Sequence, residues 1–201
     1  MATLPFSGDE RINLASAEVV LADGHAEGLD LLAEMFAGFG VMKPNLCTTA
    51  VEAMRVAGQR EVNLFVVDSA LSDSDGYEFV RWLRRSELKP NAVAPVILLT
   101  GHTKPSDIFK GRDCGANFVV RKPAPPLVLL QRIMWVSRET RQYVESPGYV
   151  GPDRRFRMLG PPVGEKGRRA DDLSFEVGLA KTPNLEQDDI DALFQPQKAA
   201  L

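Results

Sequence analysis

Short apolar segments alternate with longer amphipathic segments over most of the first 145 residues, and few folds accommodate this alternation. The apolar segments are Ala17–Ala22, Val41–Thr48, Val62–Val67, Ala94–Leu99 and Asn117–Val120. Amphipathic helices are predicted over Glu27–Phe39, Ala50–Ala57, Asp75–Ser86, Ser106–Cys114 and Pro125–Glu145. Because several apolar segments have no polar face, we predict strands that are covered on both sides. Five such βα units predict an α/β fold, a doubly wound parallel sheet of five strands.

Composition excludes several functional classes. The 201 residues, 44% of them hydrophobic, suffice for one domain with a core and an additional segment. The formal charge of −3 leaves no basic excess for gripping DNA along the whole chain. No apolar window approaches the roughly 18 residues of a membrane span, so no membrane insertion is expected. Cys47 and Cys114 form no CxxC pair and follow no leader-like segment, so we predict buried thiols in a cytoplasmic protein.

The chain changes character after residue 146. Residues 147–201 contain six of the fourteen prolines and six of the sixteen glycines, a composition typical of disorder. Charge is segregated within this tail: Asp153–Arg169 has six basic and two acidic residues, whereas Ala170–Asp191 has seven acidic and one basic. The predicted organisation is a flexible N-terminus over 1–14, a folded domain over 15–146 and a bipolar tail over 147–201.

Four polar residues stand where predicted strands end. Asp23, Asp68, Thr100 and Lys122 each follow an apolar run, and the carboxyl ends of parallel strands share one edge of a sheet. Two neighbouring carboxylates repel unless a cation lies between them, and Mg²⁺ binds well to one or two carboxylates. A carboxylate can also attack phosphorus, with an ammonium and a hydroxyl stabilising the phosphoryl oxygens. The arrangement predicts a magnesium site and phosphoryl chemistry, with the central Asp68 as nucleophile.

This ordered set resembles the receiver domain of bacterial two-component response regulators. The resemblance includes Asp75-Gly76 after the central aspartate, Lys122-Pro123, and Gly115-Ala116 before the last strand. It implies a flavodoxin-like receiver fold over 15–146 that catalyses only its own phosphorylation and dephosphorylation. The implied roles are phospho-acceptor for Asp68, metal ligands for Asp23, Asp68 and the Ala70 carbonyl, switch hydroxyl for Thr100 and phosphate-pairing cation for Lys122. A histidine kinase or a phosphotransfer protein is the implied partner, and Mg²⁺ the implied cofactor.

Three positions depart from the family pattern. Gly24 stands where receivers usually have a second acid, which predicts a weakened Mg²⁺ site. Ser72 replaces a frequent proline, and Val119 replaces a frequent aromatic switch residue. Asp73 is expected to be a solvated acid, with compensation for Gly24 as the alternative.

The tail contains two segments of interest. Its basic part contains arginines suited to anion binding, but the favoured interpretation is a solubilising or intramolecular tether: Arg154, Arg155, Arg157, Arg168 and Arg169. Its acidic part predicts a short helix over 186–194 with an apolar face formed by Ile190, Leu193 and Phe194. The second segment resembles the short acidic peptide of flagellar switch proteins that chemotaxis receivers recognise. Docking into a groove and a disordered terminus are the alternatives for it.

The sequence therefore predicts a response regulator that is phosphorylated on Asp68 and signals through contact with another protein, with a flagellar or chemotaxis protein as one candidate. No DNA-binding output domain is expected, because the tail lacks a helix-turn-helix pattern and its acidic half would repel phosphates. Two alternatives are a scaffold that acts without phosphorylation and an adaptor that senses a cyclic dinucleotide through its arginines.

Overall fold

The computed structural model of the chain describes residues 14–139, 141–154 and 185–194, with the side chains of 192–194 excepted. Its central sheet confirms the predicted α/β fold. The five strands are β1 (Val19–Ala22), β2 (Asn45–Cys47), β3 (Leu64–Asp68), β4 (Val96–Thr100) and β5 (Phe118–Arg121). They pair in parallel in the order β2-β1-β3-β4-β5, so β5 forms one edge. The chain order reverses direction at β1 and β3, which opens a crevice at their carboxyl ends.

Helices cover both faces of the sheet. They are α1 (Ala26–Gly38), α2 (Ala50–Gln59), α3 (Gly76–Arg85), α4 (Pro105–Asp113) and α5 (Pro126–Ser137). A capping box starts α2, where Thr49 Oγ1 accepts from the Glu52 amide and Glu52 Oε2 accepts from the Thr49 amide. All residues of β1, β3 and β4 are buried, as strands packed on two sides must be.

The predicted last helix is wrong beyond Ser137. Residues of its expected second half form an antiparallel hairpin instead, made of β6 (Tyr143–Ser146) and β7 (Tyr149–Pro152). This hairpin crosses the predicted boundary at 146/147. It packs on the domain through Tyr149, which is 5% exposed, and through Gly151. A Cβ on Gly151 would lie 2.8 Å from the Gly115 Cα, so the close approach depends on Gly151 having no side chain.

A buried arginine explains why the chain turns back at this point. Arg84 is 3% exposed, and none of its hydrogen-bond partners among the described residues is a carboxylate. Its guanidinium donates to the carbonyls of Gly115 (2.9 Å), Ala92 (2.9 Å) and Ala94 (2.8 Å) and to Asn117 Oδ1 (2.8 Å). Burial lowers the pKa of Arg84. Four hydrogen bonds compensate this desolvation and join α3, the segment before β4 and the start of β5.

The hairpin completes the cover over this guanidinium. The Tyr143 ring lies 5.2 Å from the Arg84 carbon Cζ, and the Tyr143 hydroxyl donates to Asn117 Oδ1 at 3.3 Å. Asn117 Nδ2 donates to Glu139 at 2.7 Å. Continuing α5 as a helix would forgo these contacts, which lie at the opposite end of the sheet from the carboxyl-end crevice.

Two further features concern membrane-spanning helices and the state of the cysteines. Within the described residues, no helix is long and apolar enough to cross a membrane. Cys47 and Cys114 are both buried free thiols, and burial raises their pKa to about 11 and about 12, respectively.

The Arg84 network makes a prediction about stability. Replacing Arg84 by lysine should lower the free energy of unfolding by about 2–4 kcal/mol, because one ammonium cannot reach acceptors arranged around a planar fork. Urea denaturation measures the change. Arg85→Lys is the matched control, since Arg85 is exposed and should change stability by less than about 0.5 kcal/mol. Equal stabilities of the two variants would contradict this account.

Candidate functional site

Four sequence-predicted residues meet at the carboxyl edge of the sheet. Asp23 follows β1, Asp68 ends β3, Thr100 ends β4 and Lys122 follows β5. The register explains their meeting, since Ala22 pairs with Val67, Asp68 with Leu99 and Thr100 with Arg121. Asp23 and Thr100 are completely buried and Asp68 is 5% exposed.

The Lys122 ammonium joins the two carboxylates. Its Nζ lies 2.6 Å from Asp23 Oδ2 and is also hydrogen-bonded to Asp68 Oδ2. Burial by itself would lower the pKa of Lys122, but its hydrogen bonds to Asp23 and Asp68 outweigh burial and raise it. The lysine is therefore a fixed cation, and it offsets the repulsion between two desolvated acids.

The remaining Asp68 oxygen is held by backbone. The Ala70 amide donates to Asp68 Oδ1 at 2.6 Å, and the Ser69 hydroxyl lies 3.5 Å from the same oxygen. Gly76 allows this loop to close, because a Cβ there would lie 2.0 Å from the Asp68 carbonyl oxygen. Asp68 is thus oriented by its own following loop and paired with the Lys122 ammonium.

Asp23 is oriented in a similar way. Its Oδ1 accepts from the His25 amide at 3.0 Å, while the His25 ring is 77% exposed and lies 3.5 Å from that oxygen. Gly28 on α1 makes room for the carboxylate, since a Cβ there would lie 2.5 Å from Asp23 Oδ2. A larger residue at position 28 would displace the acid from Lys122.

Gly24 is a tighter position than the sequence suggested. A Cβ at residue 24 would lie 2.8 Å from the Ala70 carbonyl oxygen and 3.0 Å from both the Leu71 carbonyl carbon and the Ser72 nitrogen. The loop after β3 therefore occupies the space in which a second acid would stand. Its closeness is fixed by backbone hydrogen bonding, because the Ser72 amide donates to the Thr48 carbonyl at 3.1 Å.

The donor set nevertheless fits a hard cation. Asp23, Asp68 and the Ala70 carbonyl would supply oxygen ligands to such a cation, and Mg²⁺ characteristically uses one or two carboxylates and retains several waters. Among the described residues, no group of three or more His, Cys, Asp or Glu side chains is gathered to hold a metal. The oxygens present thus suit Mg²⁺ in type, with one carboxylate fewer than the family pattern.

The Thr100 hydroxyl is committed to the loop after β4. Its Oγ1 donates to the His102 carbonyl at 3.1 Å and accepts from the His102 amide at 3.1 Å and from the Ser69 hydroxyl at 3.2 Å. Ser69 therefore links Thr100 to the loop that orients Asp68. These hydrogen bonds stabilise the conformation of the loop over residues 100–104.

Tyr77 is a site residue that sequence reasoning missed. It is 6% exposed, and burial raises its pKa more than its hydrogen bond with Thr100 lowers it. Lys110 of α4 lies 4.3 Å above its ring and 2.5 Å from Asp75 Oδ2. The ring also approaches Gly111, where a Cβ would meet a Val119 methyl at 2.7 Å and Tyr77 Cε1 at 3.6 Å. An aromatic ring from α3 thus lies beside Val119, the position at which the sequence lacks an aromatic residue.

Asp73 has a structural role that its sequence position did not reveal. Its carboxylate accepts from the Ala50 amide at 2.7 Å and from the Val51 amide at 3.2 Å, at the start of α2. These hydrogen bonds lower the pKa of Asp73. Asp73 is exposed, as expected of a solvated acid, and the fold in addition brings two helix amides to this side chain.

The predicted tail residues divide between described and undescribed parts. Arg154 forms an ion pair with Asp113, and its guanidinium carbon lies 3.8 Å from the centre of the Tyr149 ring. Arg155, Arg157, Arg168 and Arg169 lie outside the described residues. A helix, α6 (Gln187–Phe194), stands where the short helix was predicted, and Ile190 is completely buried in it. Leu193 and Phe194 belong to α6, and their side chains are outside the described part.

Known proteins with the same fold were compared with this chain. The model of the response regulator receiver domain matches residues 19–134. The transcriptional regulatory protein GltR of Pseudomonas aeruginosa is 32% identical over 83 residues, which are 41% of this chain and 34% of GltR. Protein PetR of Rhodobacter capsulatus is 30% identical over 112 residues, which are 56% of this chain and 43% of PetR. The chain thus spans less than half the length of these two curated relatives.

A solved structure agrees with this match at the level of fold. A putative response regulator from Chloroflexus aurantiacus superposes with a TM-score of 0.57 at 21% identity, over 61% of this chain and 98% of that one. Receiver domains are typically signalling modules, interact with histidine kinases or phosphotransfer proteins and bind Mg²⁺ in general, and a phosphorylated aspartate is typical of them. The hairpin and α6 lie outside the matched residues. The chain belongs to the receiver-domain family of response regulators.

Proposed function

We propose that this chain is a response regulator phosphorylated on Asp68 by a histidine kinase or a phosphotransfer protein, and that it signals by contact with another protein. The observation that supports this most strongly is the Lys122 ammonium, which touches the carboxylates of Asp23 and Asp68 together. A fixed cation beside a central carboxylate stabilises the charge that develops on a transferring phosphoryl group.

The transfer itself needs little from the protein beyond positioning. A carboxylate oxygen of Asp68 forms the new O–P bond as the P–N bond of the donor phosphohistidine breaks, and the leaving imidazole takes the electron pair and a proton. The Ala70 amide, 2.6 Å from Oδ1, holds the acid in one orientation during attack. Lys122 then exchanges part of its contact with Asp68 for the phosphoryl oxygens.

Magnesium would be held by Asp23, Asp68 and the Ala70 carbonyl. Its chemistry there is the neutralisation of phosphoryl oxygens, which an ammonium alone provides only in part. With glycine at residue 24 and the following loop packed against it, the affinity for Mg²⁺ is expected to be lower than in a receiver with two adjacent acids.

The switch is carried by Thr100. To donate to a phosphoryl oxygen on Asp68, its hydroxyl must give up the hydrogen bond to the His102 carbonyl. The loop over residues 100–104 then loses one of the contacts that hold it. Phosphorylation thereby shifts a population of loop conformations, and this shift is read by a partner.

The functional unit extends to residue 154. The β6–β7 hairpin covers the buried Arg84 and contacts Gly115, so it belongs with the receiver rather than with the tail. The tail proper then begins beyond residue 154.

Phosphotransfer provides the first test. Wild-type chain incubated with radiolabelled acetyl phosphate and Mg²⁺ should incorporate label that is lost in alkali, as acyl phosphates are, and Asp68→Asn should incorporate none because an amide is no nucleophile. Asp73→Asn is the matched control: the same chemical change five positions away removes only a helix cap and should preserve labelling. An unlabelled wild type that also fails to respond to beryllofluoride would favour the phosphorylation-independent scaffold.

A second prediction concerns Gly24. Gly24→Ala should lower the free energy of unfolding by about 1–3 kcal/mol, because the new Cβ meets loop backbone on three atoms that cannot easily move apart. Gly101→Ala is the control, since a Cβ at Gly101 has no neighbour within 4 Å. Thermal or urea unfolding measures both, and an unchanged stability of Gly24→Ala would show that the loop can yield and admit a second acid.

A further inference from the structure

The outer edge of the sheet is occupied by the chain's own C-terminal helix. Because β5 pairs only with β4 within the described sheet, its other edge presents backbone groups that need partners. The Gln187 side chain supplies two of them: its Nε2 donates to the Val119 carbonyl at 3.3 Å, and its Oε1 accepts from the Arg121 amide at 2.8 Å. One carboxamide therefore does what the peptide group of a neighbouring strand would do.

A buried ion pair forms the second anchor. Arg132 of α5 and Asp191 of α6 are 4% and 7% exposed, and the guanidinium contacts both carboxylate oxygens, with Nε 3.1 Å from Oδ1. Gln187 Nε2 also donates to Asp191 Oδ1 at 2.8 Å. Arg132 is itself positioned on the Phe118 ring, 5.1 Å from its centre. Without α6, the buried Arg132 guanidinium would lose its carboxylate partner in largely apolar surroundings, which is energetically unfavourable.

Apolar burial completes the contact. Ile190 is completely buried against the core, and Leu185 packs on the same core. The exposed side of α6 contains Asp188 and Asp189, so these two acids face outward while Ile190 and Asp191 face the domain. An eight-residue helix is too short to persist alone in water, so its order depends on this face.

We propose that residues 185–194 are an internal ligand that closes the face formed by β5, α5 and the loop after β4. Three side chains of this segment make specific contacts. The Gln187 carboxamide binds the β5 edge, the Asp191 carboxylate binds Arg132, and Ile190 fills the apolar centre. Any partner that uses this face must displace α6, so the chain controls access to its own docking surface.

The connection to Asp68 passes through the loop after β4, and this part of the inference rests on the proposed function. The Leu185 amide donates to the Thr103 carbonyl at 2.8 Å, and Thr103 lies in the loop that the Thr100 hydroxyl holds through His102. Arg121, which binds both Gln187 and Glu186, directly precedes Lys122. Moving Thr100 or Lys122 toward a phosphoryl group therefore disturbs Thr103 and Arg121, which contact residues 185–187. By thermodynamic linkage, docking of α6 then changes the free energy of phosphorylation at Asp68.

Because residues 185–194 are covalently joined to the domain, their binding is favoured over binding of a separate partner. Thirty residues, 155–184, join the hairpin region to the helix segment. A tethered ligand typically acts at an effective concentration on the order of millimolar, so even a weak helix keeps the face closed against dilute competitors.

A labelled peptide of residues 185–201 tests the closure with full-length protein and without phosphate. Fluorescence anisotropy should show weak binding to the wild type and about tenfold or more tighter binding to Ile190→Asn, in which the internal helix is released. Asp188→Asn places the same side chain on the exposed side of α6 and should behave like the wild type. Equal affinity for wild type and Ile190→Asn would overturn the proposal.

Peptide variants test the geometry against the Ile190→Asn protein. A peptide with Asp191→Asn should bind about tenfold or more weakly, because it loses the charge-assisted contact with buried Arg132, whereas the Asp188→Asn peptide should lose little. Equal binding by the two peptides would overturn the assigned contacts. A wild-type dimer that Ile190→Asn abolishes would show exchange between two copies and overturn the intramolecular form.

A separate experiment measures the coupling between Asp68 and the docking of α6. Beryllofluoride with Mg²⁺ should change the affinity of Ile190→Asn for the peptide by about threefold or more, and an unchanged affinity in protein that has bound beryllofluoride would overturn the coupling. If wild-type Asp68 takes up neither phosphate nor beryllofluoride, the proposed function fails instead. The phosphate-free peptide comparison is unaffected by that failure.

Discussion

Two desolvated carboxylates, Asp23 and Asp68, lie at the carboxyl edge of the sheet, and the Lys122 ammonium touches both. Without this cation, two buried acids would repel each other and raise the free energy of the fold. With it, the crevice holds two closely placed carboxylates and a fixed ammonium, and the carboxylate oxygens are of the type that Mg²⁺ prefers. Gly28, Gly76 and Gly24 serve the same arrangement, because each lets backbone or carboxylate approach where a Cβ would intrude.

Two routes of hydrogen bonds and chain neighbours connect the crevice with the β5 edge. Thr100 connects them from one side through His102 and Thr103, and the Arg121–Lys122 pair connects them from the other. The segment 185–194 contacts both routes, the first through Leu185 and the second through Gln187 of α6. In the proposed function, a phosphoryl group on Asp68 would use the same threonine and lysine, so phosphorylation would compete with closure of the β5 edge for shared residues.

Much of this arrangement was predictable. The five apolar runs placed the strands within a few residues, and polar residues at their ends located the crevice. Other features depended on partners distant in sequence. The predicted last helix was extended too far, because Tyr143 contacts the buried Arg84, which is distant in sequence. Asp73, a cap for α2, and Tyr77, a neighbour of Val119, carry no local signal for those contacts.

The sequence by itself determined the α/β fold, the set of residues in the crevice and the amphipathic character of the C-terminal helix, since each is written in local periodicity and strand-end chemistry. Only the tertiary structure decided what those residues touch. It showed that loop backbone fills the space beside Gly24, that a hairpin seals Arg84, and that α6 lies on the edge of its own domain. The physical reason is that unpaired strand edges and buried charges acquire partners through space, and sequence order does not specify which partners are near.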